Sequence, residues 1–208
     1  MSGMFITFEG PDGCGKSTIT SLVYENIKDK YDVIKTREPG GTEISEKIRE
    51  LILDVNNSLI TDRTEALLYA AARAQHVEEK IIPALEEEKI VLCERFVLSS
   101  IAYQGYGRGL GEKDVKMIND FATGNIKPDI TFLFDTKEQV SVNRKLKAGG
   151  DRLENLGEDF HKKVNEAYKE LSKRDDYYII DATKSIEEVL QSCLNILEVK
   201  LGGIKWNL

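Results

Sequence analysis

The chain has 208 residues, of which 41% are hydrophobic, and its formal net charge at pH 7 is -7. This length and apolar content predict one compact domain, residues 1–208, with a sizeable core. The negative charge argues against a general nucleic-acid binder, because such proteins need a basic surface.

The cysteines and the apolar segments indicate the compartment. Cys14, Cys93 and Cys193 lie far apart and lack the paired spacing of a zinc or redox site, which favours a reducing compartment. No run approaches the roughly 20 apolar residues that cross a bilayer. The first residues also lack the basic and apolar regions of a secretion signal. We therefore expect a cytoplasmic protein without a membrane segment.

Five short apolar segments alternate with helical patterns along the chain. The apolar segments predict strands at residues 4–8, 33–36, 90–93, 130–134 and 177–180. The helical patterns span residues 16–30, 43–53, 63–88, 99–106, 112–123, 137–148, 159–173 and 185–200, with a break before Pro83. Buried strands that alternate with helices predict a three-layer α/β fold with a five-stranded parallel sheet.

A glycine-rich segment connects the first strand to the first helix. Residues 10–17 match the phosphate-binding P-loop pattern G-x-x-x-x-G-K-[ST] at every fixed position. Its N–H groups and the helix N-terminus are expected to bind the phosphates of a nucleoside triphosphate, with Lys16 on the β- and γ-phosphates and Ser17 on Mg²⁺. The predicted nucleotide-binding residues are Gly10, Pro11, Asp12, Gly13, Cys14, Gly15, Lys16, Ser17 and Thr18.

The rest of the sequence narrows the class of nucleotide-binding protein. A guanine-reading Asn-Lys-x-Asp motif is missing from the sequence, and the chain is short for a motor or a transporter. A small phosphotransferase and a nucleotide-binding module without catalysis remain.

Four further motifs follow the predicted strands or lie in the helices. Residues 37–42 read Arg-Glu-Pro-Gly-Gly-Thr, residues 69–76 read Tyr-Ala-Ala-Ala-Arg-Ala-Gln-His, residues 94–96 read Glu-Arg-Phe, and residues 99–105 read Ser-Ser-Ile-Ala-Tyr-Gln-Gly. Together with the P-loop they resemble the thymidylate kinase family of nucleoside monophosphate kinases, from about residue 5 to residue 182. The resemblance implies Mg²⁺-dependent transfer of the γ-phosphoryl group of ATP to dTMP by a homodimer. A kinase for another pyrimidine monophosphate, such as dUMP, is the nearest alternative.

The same resemblance implies roles for single residues. Asp12 would lie between the two nucleotides, and Arg95 would bind the acceptor phosphate and reach the transferred group. Tyr69 would stack on thymine, and Arg73 would donate a hydrogen bond to its O4. The other residues expected to bind dTMP are Glu38, Pro39, Arg49, Ser100 and Gln104.

Two of these assignments also have a physical basis in the sequence. Tyr69 and Arg73 are four residues apart on a predicted helix, so they share a face and can present a ring and a donor to one flat ligand. Arg95 follows a buried strand, so its guanidinium is expected at the carboxyl edge of the sheet. The alternatives are a core position for Tyr69, a solvated surface position for Arg73, and a salt bridge from Arg95 to Glu94 or Glu9.

This chain departs from the family pattern at the metal site and in the P-loop. Glu94 stands where the family usually has Asp, and we predict it as a metal ligand with Ser17. The P-loop contains no arginine, as in the branch of the family that supplies arginine from a covering segment. We therefore predict a lid at about residues 144–157 that carries Arg144 and Lys147 as catalytic cations, with Arg152 among its other charges. The alternative is that these charges form a solvated helix end.

Overall fold

A computed structural model of the protein describes residues 3–136, 150–174 and 176–202. Its strands are β1 (Met4–Glu9), β2 (Val33–Arg37), β3 (Ile90–Glu94), β4 (Ile130–Asp135) and β5 (Tyr178–Asp181). They form one parallel sheet in the order β2-β3-β1-β4-β5. The predicted five-stranded parallel sheet is therefore confirmed.

Helices cover both faces of this sheet. Successive residues of β4 illustrate the two faces, because Phe132 packs in a core cluster with Val23 and Leu194, whereas Leu133 packs in a second cluster with Leu171. Both side chains are almost fully buried, as expected for a strand with two covered faces. The helices are α1 (Lys16–Ile27), α2 (Glu43–Leu53), α3 (Asp62–His76), α4 (Ile82–Glu86), α5 (Val97–Ser100), α6 (Glu112–Ala122), α7 (Glu158–Leu171) and α8 (Ile186–Lys200).

The α-helix is interrupted before Pro83, as predicted, but the interruption is a π-helical turn and not a loop. The chain continues from α3 through a π-helical turn, Val77–Ile81, directly into α4, where Pro83 occupies the first turn. A proline in that turn needs no N–H partner, and the wider π turn before it relieves the clash between its ring and the preceding carbonyls. A second π-helical segment, Ile101–Gly107, extends α5 and replaces most of the α-helix predicted at residues 99–106.

The sheet order determines where a ligand can bind. β1 lies between β3 and β4, and the connections after β1 and β3 leave the same edge of the sheet. Phe8 is paired with Glu94, so the P-loop begins beside the segment that contains Arg95. This is the edge at which open α/β sheets bind ligands.

Two sequence-based predictions, on the helix at residues 137–148 and on membrane segments, can be compared with the structure only over the residues that it describes. The helix predicted at residues 137–148, with Arg144 and Lys147, lies outside them. Among the described residues, no helix is both long and apolar enough to cross a membrane.

The start of α8 allows a test of the fold. The Ser185 hydroxyl accepts a hydrogen bond from the Glu188 N–H at 3.2 Å, and the Glu188 carboxylate accepts one from the Ser185 N–H at 3.0 Å. Because this capping box satisfies two N–H groups of the first turn, Ser185→Ala should lower the free energy of unfolding by about 1 kcal/mol, as measured in urea.

The control for this variant is Ser192→Ala in the same helix. The Ser192 hydroxyl donates only to the Glu188 carbonyl, at 2.8 Å, so its loss should cost little. Equal losses in the two variants would contradict the capping role of Ser185.

Candidate active site

A cleft of about 490 Å³ opens at the carboxyl edge of the sheet. It is lined by residues of the P-loop, of the segments after β2 and β3, of α3 and of the π-helical segment 101–107. Distant parts of the sequence thus meet at one surface. The sequence-predicted residues that line the cleft are Asp12, Gly13, Gly15, Lys16, Ser17, Thr18, Glu38, Pro39, Arg49, Tyr69, Arg73, Glu94, Arg95, Ser100 and Gln104.

The P-loop wraps around the ammonium group of Lys16. The Lys16 Nζ atom donates to the carbonyls of Gly10 at 2.9 Å and Pro11 at 2.7 Å, and it lies 3.4 Å from the Cys14 Sγ atom. The backbone at Gly10 has a φ of 143°, and a Cβ atom there would approach the Phe134 carbonyl to 2.9 Å. Only glycine fits this turn, which brings the backbone close to the cation. Gly10, Pro11 and Cys14 therefore hold Lys16 at the base of the loop.

Ser17 and Glu94 form the candidate metal site. The Ser17 hydroxyl donates to the Glu94 carboxylate at 2.7 Å, and both residues line the cleft. A hydroxyl and a carboxylate are hard oxygen ligands of the kind that Mg²⁺ prefers. The extra methylene of Glu94, relative to Asp, does not prevent its carboxylate from reaching Ser17. The donor set therefore fits Mg²⁺.

Arg95 connects the P-loop to the rest of the cleft. Its guanidinium forms an ion pair with Asp12, donates to the Gly10 carbonyl at 3.2 Å, and lies 5.2 Å from the centre of the Tyr103 ring. The Tyr103 hydroxyl donates to the other Asp12 oxygen at 2.6 Å. Burial alone would lower the pKa of Arg95, but Tyr103 and Asp12 raise it above its ordinary value. Arg95 is thus a fixed cation, and its ion pair is with Asp12 rather than with Glu94 or Glu9.

Glu9 fixes the turn that carries Arg95. Its fully buried carboxylate accepts hydrogen bonds from the Phe96 N–H at 2.7 Å and from the Ser99 hydroxyl at 2.5 Å. Burial raises the pKa of Glu9 above its ordinary value, although these hydrogen bonds and Arg95 oppose the shift. Arg95 has a φ of 66°, in the left-handed region that non-glycine residues rarely adopt. The hydrogen bonds that Glu9 accepts from Phe96 and Ser99 stabilise this turn.

Arg73 is buried, with 2% of its side chain exposed. The alternative that Arg73 is a solvated surface residue is therefore wrong. Its Nε atom donates to Glu38 at 2.6 Å, and its terminal nitrogens donate to Ser100, to Asn119 and to the Phe96 carbonyl. Tyr69 lies one helical turn earlier in α3 and lines the same part of the cleft. The structure therefore brings the predicted stacking ring and the predicted donor together.

Glu38 is held from two sides. Its second carboxylate oxygen lies 2.9 Å from the His76 Nδ1 atom, and the His76 Nε2 atom lies 2.7 Å from the Thr36 hydroxyl. His76 is completely buried. With both ring nitrogens engaged, His76 acts as a structural link between β2 and α3.

Two arginines converge on the Pro39 carbonyl. Arg37 and Arg49 each donate to this oxygen at 2.9 Å, and both line the cleft. Burial lowers the pKa of Arg49, and the charge of Arg37 lowers it further. Two adjacent cations favour a bound anion between them. Arg49 is one of the residues that the family resemblance implies for the dTMP pocket, and it lines this end of the cleft.

The described part of the predicted lid, residues 150–157, is attached to α2 and α3. The Arg152 backbone N–H donates to the Leu53 carbonyl at 3.0 Å, and its side chain donates to the Ile52 carbonyl at 2.7 Å and to Glu65 at 2.8 Å. Only 7% of the Arg152 side chain is exposed. Through these hydrogen bonds Arg152 anchors the segment to α2 and α3.

Sequence reasoning missed Glu9, Arg37, Glu65 and Tyr103 as residues of this site. For Tyr103, a signal existed, because it lies in the same motif as Ser100 and Gln104. Arg37 likewise begins the motif that contains Glu38 and Pro39. Glu65 also offered a signal, because it stands four residues before Tyr69 and therefore shares its face of the predicted helix. Glu9 offered none, since a carboxylate at the end of an apolar run is ordinary on a surface.

Comparisons with known proteins agree with this geometry. The family model described as thymidylate kinase matches residues 8–193. A thymidylate kinase of Finegoldia magna is 56% identical over 198 residues, which cover 94% of this chain and 98% of that protein. A thymidylate kinase of Lactobacillus helveticus is 51% identical over 211 residues, which cover 98% of this chain and 100% of that protein.

A solved structure gives the same result. The crystal structure of thymidylate kinase from Ehrlichia chaffeensis superimposes with a TM-score of 0.79 at 31% identity, and the match covers 95% of this chain and 100% of that one. The chain belongs to the thymidylate kinase family, as these matches show and as the P-loop and the pocket of Tyr69 and Arg73 in one cleft lead us to expect.

Proposed function

We propose that this chain transfers the γ-phosphoryl group of ATP to dTMP, which gives dTDP and ADP. One observation carries the proposal. The P-loop and the pocket of Tyr69 and Arg73 open into a single cleft, with the Arg95–Asp12 ion pair among its lining residues. Direct transfer requires donor and acceptor phosphates to meet in line within one cleft.

The P-loop is the proposed ATP site. Its N–H groups and Lys16 would bind the β- and γ-phosphates, while Ser17 and Glu94 would hold Mg²⁺. The metal, when bound, would neutralise negative charge that develops on the phosphate oxygens. Lys16 and Arg95 would stabilise the same charge from the protein side.

The other half of the cleft is the proposed dTMP site. Tyr69 would stack on the thymine ring, Arg73 would donate to its O4, and Gln104 would bind the neighbouring edge of the base. Arg95 would bind the phosphate together with Arg37 and Arg49. No strong general base is required, because the acceptor phosphate is already anionic near neutral pH. Ser100, Glu38 and Pro39 would complete the wall.

The lid is proposed to complete the charge around the transferred group. Arg144 and Lys147 lie outside the described residues, and their support is the lack of arginine in residues 10–17. The segment that follows them places Asp151, Leu153 and Glu154 at the cleft. A cytoplasmic location is proposed as well, since the three cysteines are free and buried.

A coupled assay for ADP release distinguishes this function from its alternatives. With ATP present, dTMP should give the highest kcat/KM among the nucleoside monophosphates tested. Preference for dUMP would assign the chain to another pyrimidine monophosphate. ATP binding without turnover on any acceptor would indicate a non-catalytic module.

Lys16→Ala should lower kcat by more than about tenfold, because a cation that contacts the transferred phosphoryl group contributes several kcal/mol in the transition state. The measurement is steady-state turnover with saturating ATP and dTMP. Lys162→Ala, an exposed position on α7, is the control. Retention of more than a tenth of wild-type turnover by Lys16→Ala would exclude this role.

Arg73→Lys should raise the KM for dTMP more than tenfold and lower the melting temperature. Lysine keeps the charge but cannot bind Glu38, Ser100 and the Phe96 carbonyl at once, as the guanidinium does. Arg63→Lys, at an exposed position of the same helix, should change neither quantity. An unchanged KM in Arg73→Lys would remove Arg73 from the base site.

We propose further that the chain forms a homodimer through the outer faces of α3 and α6. These two helices pack against each other and expose Leu67 (56%), Met117 (63%) and Phe121 (90%). Large apolar side chains exposed on two adjacent helices indicate an interface.

The dimer proposal is tested by light scattering after gel filtration. Phe121→Glu should shift the protein from dimer to monomer, because the charge would lose its hydration in the interface. Val199→Glu adds the same charge at an exposed apolar position (78%) on α8 and should leave the dimer intact. A wild-type monomer, or a dimer in Phe121→Glu, would contradict the proposed surface.

A further inference from the structure

We propose that Glu65 is a positioning residue that orients the side-chain amide of Gln104 and thereby selects a pyrimidine base that is protonated at N3. The inference rests on the proposed function, since it assumes that the cleft binds a pyrimidine monophosphate. It adds a residue that contacts no substrate and acts through Gln104.

The orientation follows from the chemistry of the two groups. The Gln104 Nε2 atom donates to the Glu65 Oε1 atom at 3.0 Å, and both side chains are buried, with 1% and 0% exposure. An ionised carboxylate only accepts hydrogen bonds, whereas an amide has a donor side and an acceptor side. A flipped Gln104 would set its oxygen against the carboxylate oxygen. The amide therefore has one stable orientation.

Two arginines keep Glu65 ionised. Arg108 donates to it at 3.2 Å and 2.7 Å, and Arg152 donates at 2.8 Å. Burial would raise the pKa of Glu65, but the hydrogen bonds from Arg108 and Gln104 and the nearby charges hold it below its ordinary value. At neutral pH the carboxylate thus remains a pure acceptor.

With its nitrogen directed at Glu65, Gln104 offers its oxygen to the cleft. Gln104 lines the cleft, and within the described part of the chain no hydrogen bond reaches its Oε1 atom. Arg73 lines the same cleft, and its Nη2 atom carries a second N–H besides the one that it donates to the Phe96 carbonyl. An acceptor beside a donor complements thymine, which has a donating N3–H beside an accepting O4. Cytosine has an accepting N3 beside a donating amino group, so both of its contacts would be repulsive.

Glu65→Gln tests the inference. The new amide at position 65 can donate as well as accept, so Gln104 can adopt either orientation. The ratio of kcat/KM for dTMP to that for dCMP should fall at least about tenfold. In the flipped orientation the Gln104 amide can donate a hydrogen bond to N3 of cytosine, and it no longer always accepts one from N3–H of thymine. Titration calorimetry of dTMP and dCMP without ATP should show the same change in relative affinity.

Arg108→Gln is the matched control. It removes one charge from the cluster but leaves the Gln104 contact with Glu65 in place, so it should lower stability without a change in the dTMP-to-dCMP ratio. A merely structural role for Glu65 would make the two variants behave alike, with both substrates affected equally. That outcome would overturn the inference.

An exchanged pair provides the rescue. In Glu65→Gln/Gln104→Glu, the carboxylate stands at position 104 and accepts hydrogen bonds both from the amide at position 65 and from the base, so preference for dTMP should return to within about threefold of wild type. The double variant also tests the inference if Glu65→Gln does not fold, because it keeps one carboxylate in the cluster. Equal kcat/KM values for dTMP and dCMP in this double variant would contradict the inference. Failure of the proposed function looks different, because wild-type protein would then not phosphorylate dTMP.

Discussion

Pairing of buried and half-buried charges at the carboxyl edge of the sheet is the interaction on which the cleft depends. Arg95 is paired with Asp12, Arg73 with Glu38, and Arg152 with Glu65. A buried charge without a partner is strongly unfavourable, and removal of one partner from such a pair costs about 3–5 kcal/mol. Each pair also joins elements that are distant in sequence. These ion pairs therefore restrict how the elements that carry them can be arranged around the cleft.

The same pairs suit the chemistry of phosphoryl transfer. Little covalent work is left to the protein in this reaction, so fixed cations and correct placement account for most of the catalysis. Lys16 is bound by loop carbonyls, and Arg95 is bound by Asp12 and supported by the turn that Glu9 stabilises. These cations are held in place before a substrate arrives, so little reorganisation accompanies the reaction.

Glu65 joins two functions that would otherwise be separate. It receives Gln104 from the base pocket and Arg152 from the segment after the predicted lid. The orientation of a base-reading amide and the anchoring of residues 150–157 therefore depend on one carboxylate. A substitution of Glu65 is expected to change both the orientation of Gln104 and the stability of this charged cluster. The Arg108 variant is the control for the loss of stability.

The fold class, the P-loop and most residues of the cleft could be predicted from the amino-acid sequence. Glycine spacing specifies a phosphate-binding turn locally, and apolar runs between helices specify a buried parallel sheet, so neither depends on distant contacts. The shift from α- to π-helix at residues 77–81 was not predictable, because it depends on how Pro83 is accommodated against the sheet. Arg73 appeared in the sequence as either a base reader or a surface charge. That Glu9 and Glu65 are buried and that Arg152 points inward is known from the folded chain alone, because their hydrogen-bond partners lie far away in the sequence, 87 positions apart for Arg152 and Glu65.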